Sequence, residues 1–147
     1  DSDGRSTFKG QFGRVTMFKS ALSPERISEL ATGGRNTVVS GKNVLFSKLT
    51  PSIGELTNDQ KLFAGAFTLE AWIKPGQQEN GRIFDKLKAG NIAGFLLDCF
   101  PKLSLRLISG DIDESTPENI LTADKWHHGA VVFSDKDVKL YLNGKQL

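Results

Sequence analysis

Residues 126–147, WHHGAVVFSDKDVKLYLNGKQL, decide the fold because they describe strands and turns with no helical pattern. A β-rich run ends at the turn residues 134–137, and leucine then alternates around Tyr141. The pair Asn143-Gly144 is a strong signal for a two-residue hairpin, since both residues tolerate a positive φ. Only three residues follow this turn. The sheet that the hairpin feeds is therefore expected to continue elsewhere in the chain.

Upstream of this stretch, short strand signals recur between turns rich in Gly, Asp and Asn. They lie at residues 11–19, 36–40, 43–49, 66–74, 81–88, 94–100 and 102–110. Only one segment looks helical, near residues 23–31, with Ser23 as N-cap and Pro24 at the first helical position. The polar stretch 109–125 has no clear strand signal and is expected to be a loop. The pattern predicts an all-β, two-sheet antiparallel jelly-roll sandwich of nine to eleven strands with one short helix.

The composition excludes several classes of protein. A length of 147 residues suits one domain. A net charge of +2, without a basic run, argues against nucleic acid and anionic membranes as partners. No apolar run is long enough to predict membrane insertion. The single cysteine, Cys99, excludes an internal disulfide and lies in an apolar stretch, so it is expected to be a buried, inert thiol.

Three segments together resemble laminin G-like (concanavalin A-like lectin) jelly-roll domains: residues 67–76, residues 121–147, and residues 8–30. In that family, however, the segment similar to 8–30 closes the domain. The resemblance therefore implies one domain over 1–147, circularly permuted, with the closing strand and helix at 1–32 and the rest of the sandwich at 36–147. Two alternatives are a fragment cut across tandem modules, and ends swapped with a neighbouring module.

The resemblance also implies a function. It predicts a non-catalytic carbohydrate-binding or adhesion module, outside the cell, at its surface or in the periplasm. Such modules are often part of a larger secreted or surface protein, such as a glycoside hydrolase. The alternative is a protein-interaction or spacer module without a small-molecule ligand. A glycoside hydrolase is the weaker alternative, because no strand carries the paired carboxylates that flank a glycosidic bond in such enzymes.

A sugar-binding surface needs an aromatic platform and polar groups that hydrogen-bond hydroxyls. Strand alternation places Glu70 and Trp72 on one polar face, and Arg106 and Tyr141 at equivalent positions of their own strands. If these strands are neighbours, the four residues form a surface for a glycan or an anion. The alternative is ordinary decoration of a sheet face, with Trp72 covered by a loop.

Calcium is the ion that the resemblance implies, held by carboxylates and carbonyls at the rim. Candidate ligands are Asp111, Asp113 and Glu114, or a second cluster of Asp1 and Asp3; solvated surface charge is the alternative. Thr16 stands where the family often has an acidic residue, which argues against the usual site. A metal site at His127-His128 is not expected, because adjacent strand residues point to opposite faces. One of the two histidines is expected to face the core and the other the solvent.

Overall fold

The computed structural model describes residues 8–49, 63–77, 81–87 and 94–147, which contain ten strands and one helix. In chain order the elements are β1 (Gly10–Phe18), α1 (Pro24–Thr32), β2 (Val44–Leu49), β3 (Phe67–Pro75), β4 (Arg82–Asp85), β5 (Phe95–Asp98), β6 (Arg106–Ser109), β7 (Ile112–Ser115), β8 (His127–Phe133), β9 (Val138–Leu142) and β10 (Lys145–Gln146). They form a six-stranded sheet, ordered β10-β9-β8-β3-β1-β2, and a four-stranded sheet, ordered β4-β5-β6-β7. The predicted all-β jelly-roll class is confirmed.

Helix α1 begins and ends as its sequence predicts. The Ser23 hydroxyl oxygen accepts a hydrogen bond from the backbone N–H of Arg26 at 3.2 Å, so one of the unpaired amides of the first turn is satisfied. Gly33 caps the C-terminus, and its N–H donates to the carbonyl of Glu29. The helix is too short to be stable alone, so it depends on packing of its buried residues, Ile27 and Leu30.

These two residues pack on one face of the six-stranded sheet. The face carries Phe18, Ala130, Val132 and Tyr141, which form a buried cluster with Ile27 and Leu30. We call it the α1-covered face. Burying a leucine or isoleucine side chain stabilises a fold by about 1.5–3 kcal/mol. Glu70 lies opposite Ala130 on the same face, so α1 covers polar as well as apolar side chains.

Strand β1 belongs to the same six-stranded sheet as the C-terminal hairpin. It lies between β3 and β2, so residues 12–18 are inside the sheet, as predicted, and are not a loose arm. The hairpin itself is formed, with φ of 51° at Asn143 and 82° at Gly144, and β10 pairs with β9. A circular permutation predicts that Leu147 and Asp1 lie close together, but Asp1 is outside the described residues.

The four-stranded sheet corrects two expectations from the sequence. The stretch 109–125 was expected to be a loop, but its first part forms the β6–β7 hairpin around Gly110-Asp111. The prediction is wrong because β7, Ile-Asp-Glu-Ser, pairs through its backbone and has no apolar alternation to reveal it. Residues 36–40 were expected to be a strand and contain none.

The described residues group into two compact units. One unit takes the described residues within 8–11 and 74–126, and the other takes those within 12–73 and 127–147. The expectation of one domain over residues 1–147 stays a prediction. In the part of the chain that the structure describes, no helix has the length and apolar character needed to cross a membrane.

Candidate functional site

The four residues predicted to form a ligand surface do not belong to one sheet. Glu70, Trp72 and Tyr141 lie on the six-stranded sheet, whereas Arg106 lies on β6 of the four-stranded sheet. Glu70 and Tyr141 are also buried, with 0% and 1% of their surface exposed, because α1 and its flanking residues cover their face. The condition for a shared face, that the four strands are neighbours, is therefore not met for Arg106, and two of the four side chains are not exposed. Ligand binding by Trp72 and Arg106 stays a prediction.

Glu70 belongs to a buried charge network instead. Its carboxylate accepts hydrogen bonds from Arg14 Nε at 2.7 Å, from Arg14 Nη2 at 3.3 Å, and from His128 Nε2 at 2.8 Å. Both side chains of the Arg14–Glu70 pair are almost fully excluded from solvent. Burial alone would raise the pKa of Glu70, but the hydrogen bonds from His128 and Arg14 outweigh it and hold the pKa below its ordinary value.

Arg14 also fixes the end of α1. Its Nη2 donates to the carbonyl of Leu30 at 3.0 Å, and its Nη1 donates to the carbonyls of Gly34 and Thr37 at 2.9 and 3.1 Å. Together with the two bonds to Glu70, these contacts use all five N–H donors of the guanidinium. The network thus joins β1, β3 and β8 to the C-terminal end of α1, which makes Glu70 a structural residue.

The two adjacent histidines are both buried, at 8% and 0% exposure, so the expectation that one faces solvent is wrong. Asn143, in the turn of the β9–β10 hairpin, contacts both histidines. Asn143 Oδ1 accepts from the backbone N–H of His128 at 2.9 Å, and Asn143 Nδ2 donates to His127 Nδ1 at 3.4 Å. The Asn143 turn therefore covers His127, while Glu70 engages His128.

Arg106 lies in a different, more open setting. Its Nε and Nη2 donate to the two carboxylate oxygens of Asp98 at 3.2 and 2.6 Å, a forked pair that fixes the guanidinium. The guanidinium carbon lies 4.5 Å from the centre of the Phe100 ring. Phe100 is 38% exposed, which is unusual for so large an apolar side chain. An exposed aromatic ring and a fixed cation are thus neighbours.

Further charged residues lie on the same face of this sheet. Strand pairing places Arg82 opposite Asp98, and Asp98 opposite Arg106. Arg82 also forms a salt bridge with Asp85. Asp113 of β7 lies opposite Ile108. Ile108 is two residues after Arg106 in β6, so Asp113 lies on the same face as Arg106. We call these residues the Arg106 surface: Arg82, Asp85, Asp98, Phe100, Arg106 and Asp113.

The charges of this surface influence one another. Burial raises the pKa of Asp98, and the Arg106 salt bridge only partly offsets this effect. The hydrogen bond to Asp98 raises the pKa of Arg106 above its ordinary value. Both carboxylates, Asp98 and Asp113, favour the charged guanidinium. The charged form of Arg106 is therefore stabilised by the carboxylates beside it.

The predicted calcium ligands are not gathered into a site. Asp111 lies in the hairpin turn, and Asp113 and Glu114 are adjacent on β7, so their side chains point to opposite faces. Within the described ranges, no group of three or more His, Cys, Asp or Glu residues could hold a metal ion. Asp1 and Asp3 lie outside the described residues. Calcium binding stays a prediction.

Cys99 has the environment expected from its sequence. It is buried, and burial, together with the negative charge of Asp98, raises the pKa of its thiol to about 11. The thiol is therefore protonated at neutral pH and poorly nucleophilic.

Sequence reasoning missed Phe100 and Asp98, because the apolar stretch 94–100 suggested a wholly buried strand. A usable signal was present: Pro101 directly follows Phe100, and proline cannot continue a strand's backbone pairing. Strand alternation therefore does not predict burial of the Phe100 side chain. Arg14 was also missed as a buried residue, since nothing in a single strand reveals which partner it will meet.

The family model described as "Concanavalin A-like lectin/glucanases superfamily" (Laminin_G_3) matches residues 52–147 of the chain. No curated protein and no solved structure matches the chain. The matched range contains β3 to β10, and residues 8–49, with β1, α1 and β2, lie before it.

Proposed function

Because the chain belongs to the laminin G-type concanavalin A-like lectin/glucanases superfamily, we propose that it is a non-catalytic binding module whose ligand is a carbohydrate. The observation that supports this proposal is the Arg106 surface. There an exposed aromatic ring, Phe100, lies beside a guanidinium and a carboxylate that are already held in fixed positions.

Such a surface suits the two sides of a sugar ring. The apolar C–H face of a sugar packs on an aromatic ring, and its hydroxyls both donate and accept hydrogen bonds. Carboxylates such as Asp113 accept from hydroxyls, and arginine N–H groups donate to them. Because Asp98 already orients Arg106, little side-chain freedom is lost when a ligand binds.

The proposal is tested by measuring binding on a glycan array, followed by calorimetric titration of the best ligand. Phe100→Ala is expected to weaken binding at least tenfold, which corresponds to about 1.4 kcal/mol. The matched control is Phe46→Ala. Phe46 also lies under a cation, with Lys48 Nζ 5.9 Å from its ring centre, but it belongs to β2 of the other sheet. Equal binding by wild type and Phe100→Ala would contradict this site.

The absence of catalysis is part of the proposal. Hydrolysis of a glycosidic bond needs two carboxyl groups that face each other across the bond. On the Arg106 surface Asp98 is bound to Arg106 and Asp85 to Arg82, so neither is available as a free acid or base. Hydrolysis of any glycan that Asp113→Asn abolishes would overturn this part of the proposal.

A protein-interaction or spacer module is the second candidate, and one observation favours it. Both guanidinium groups of the Arg106 surface are paired with carboxylates, so the surface is electrostatically satisfied without a ligand. A folded protein that binds no glycan on the array would favour this candidate.

We further propose the setting that the family commonly has: outside the cell, at its surface or in the periplasm, and within a larger protein. We also propose a circular permutation. In support, β1 lies before the matched range, yet it is seated between β2 and β3, next to a strand within that range. The proposal is tested with a rearranged gene, in which residues 1–49 follow residue 147 through a short linker. The rearranged chain is expected to fold with similar stability.

A further inference from the structure

Two buried nitrogen atoms of the six-stranded sheet have no hydrogen-bond partner in the described structure: Trp72 Nε1 and His128 Nδ1. They belong to neighbouring side chains. Trp72 lies directly opposite His128 in the β3–β8 pairing, and the two ring centres are 5.4 Å apart with an interplanar angle of 58°. The histidine has no exposed surface, whereas the tryptophan is only partly buried. Both unpaired atoms thus lie in one small region of the sheet.

The chemistry of the two atoms is complementary. Glu70 accepts hydrogen bonds from two Arg14 nitrogens, so its carboxylate is an acceptor and His128 Nε2, 2.8 Å away, must donate to it. In the neutral ring the hydrogen on Nε2 leaves Nδ1 as an acceptor. Trp72 Nε1 can only donate. The region therefore offers one donor and one acceptor.

We propose that Trp72 and His128 form a buried site for one hydroxyl group, which accepts from Trp72 Nε1 and donates to His128 Nδ1. A buried polar atom without a partner is costly, and one hydroxyl removes both costs together. The chemical class of the ligand is a neutral hydroxyl, carried by a water molecule or by a polyol. An anion is disfavoured by the charge of Glu70. The proposal does not rest on carbohydrate binding at the Arg106 surface.

The chain suits a direct test by NMR, because it has only two tryptophans and hence two indole N–H signals. Loss of one signal in Trp72→Phe assigns it, and Trp126→Phe is the matched control that removes the other. We expect the Trp72 indole proton to show cross-relaxation to a water or polyol hydroxyl resonance. This transfer should persist in Trp126→Phe and be lost in His128→Gln, whose amide still donates to Glu70 but lacks the Nδ1 acceptor.

Titration with glycerol and with methyl glucoside distinguishes the two sources of the hydroxyl. A saturable shift of the Trp72 signal supports a polyol, and an unshifted signal with transfer from water supports a water molecule. Absence of transfer from either source, or transfer that persists in His128→Gln, overturns the proposal. If His128→Gln does not fold, the ring nitrogen shifts of wild-type His128 decide, since a hydrogen on Nδ1 would contradict the donor–acceptor assignment.

Discussion

Arg14 shows how much a single residue can determine in this fold. Its guanidinium meets Glu70 and three carbonyl groups at and beyond the end of α1, and it has almost no exposed surface. Strand alternation predicted the face on which Glu70 and Trp72 lie, but alternation says nothing about what covers a face. The cover comes from residues about 40 positions earlier in the chain. The candidate site was therefore misassigned where it depended on exposure.

Replacing Arg14 by methionine tests the network. The carboxylate of Glu70 then keeps only His128, and we expect the free energy of unfolding to fall by about 3–5 kcal/mol, as when one partner of a buried ion pair is removed. Denaturant titration measures the change. Arg26→Met is the control: its salt bridge with Glu29 is exposed, so a loss within about 1 kcal/mol is expected. The double variant Arg14→Met/Glu70→Leu should recover much of the loss, and an unchanged stability of Arg14→Met would refute the role of the pair.

The lowered pKa of Glu70 predicts a dependence of stability on pH. A carboxyl whose pKa is depressed by folding stabilises the protein above its unfolded pKa, near 4.5, and this contribution is lost as pH falls through the folded pKa. Wild type should therefore exceed Glu70→Gln in stability at pH 6, and the gap should narrow below about pH 4.5. Urea titrations at several pH values measure the gap, with exposed Glu29→Gln as the control. A constant gap would contradict the assignment.

Among the elements, those with local signals were predicted well. Helix α1 follows from Ser23, Pro24 and the closing glycines, and the last hairpin follows from Asn143-Gly144. By contrast, β7 has no side-chain signal because its partner is supplied by the backbone of β6. The reverse error occurred at residues 36–40, where β-branched residues suggested a strand. There the backbone instead provides the carbonyl of Thr37 to Arg14 and the amide of Val39 to Ser47.

The C-terminal hairpin and α1 meet at Gly144. A Cβ at this position would lie 3.2 Å from Ala31 Cβ and 3.2 Å from Ser28 Cα, and its φ of 82° is unfavourable for other residues. Gly144→Ala is therefore expected to lose about 1–2 kcal/mol from backbone strain and a further 1–3 kcal/mol from overpacking. Thermal unfolding compares it with Gly110→Ala, which has a φ of 59° and open space around it. Equal losses would mean that the helix contact contributes nothing.

For the whole molecule, the sequence predicted the fold class and the place of the N-terminal strand, and the family match supports the class. It could not predict which residues would be buried together, because burial depends on pairings between distant parts of the chain. Thus β1 pairs with β2, 26 or more positions later, and also lies beside β3.

Hydrogen exchange tests this arrangement in the intact protein. Because β1 has a strand on each side, the amides of Val15, Thr16 and Met17 should exchange as slowly as those in the middle of β8. Amides of the edge strands β2 and β7 should exchange faster. Mass spectrometry or NMR follows the exchange. Rapid exchange throughout β1, with β8 protected, would mean that the N-terminal strand is not held in the sheet in solution.

The Arg14–Glu70–His128 network also constrains how the gene can change. One partner is encoded before the family-matched range and the other two within it. A substitution of Arg14 leaves the Glu70 carboxylate short of a partner, and a second substitution at codon 70 can compensate for it, so the two positions are expected to covary among descendants of this gene. Recombination between diverged copies, with a breakpoint anywhere between these codons, separates the partners and yields chimaeras with an uncompensated buried charge.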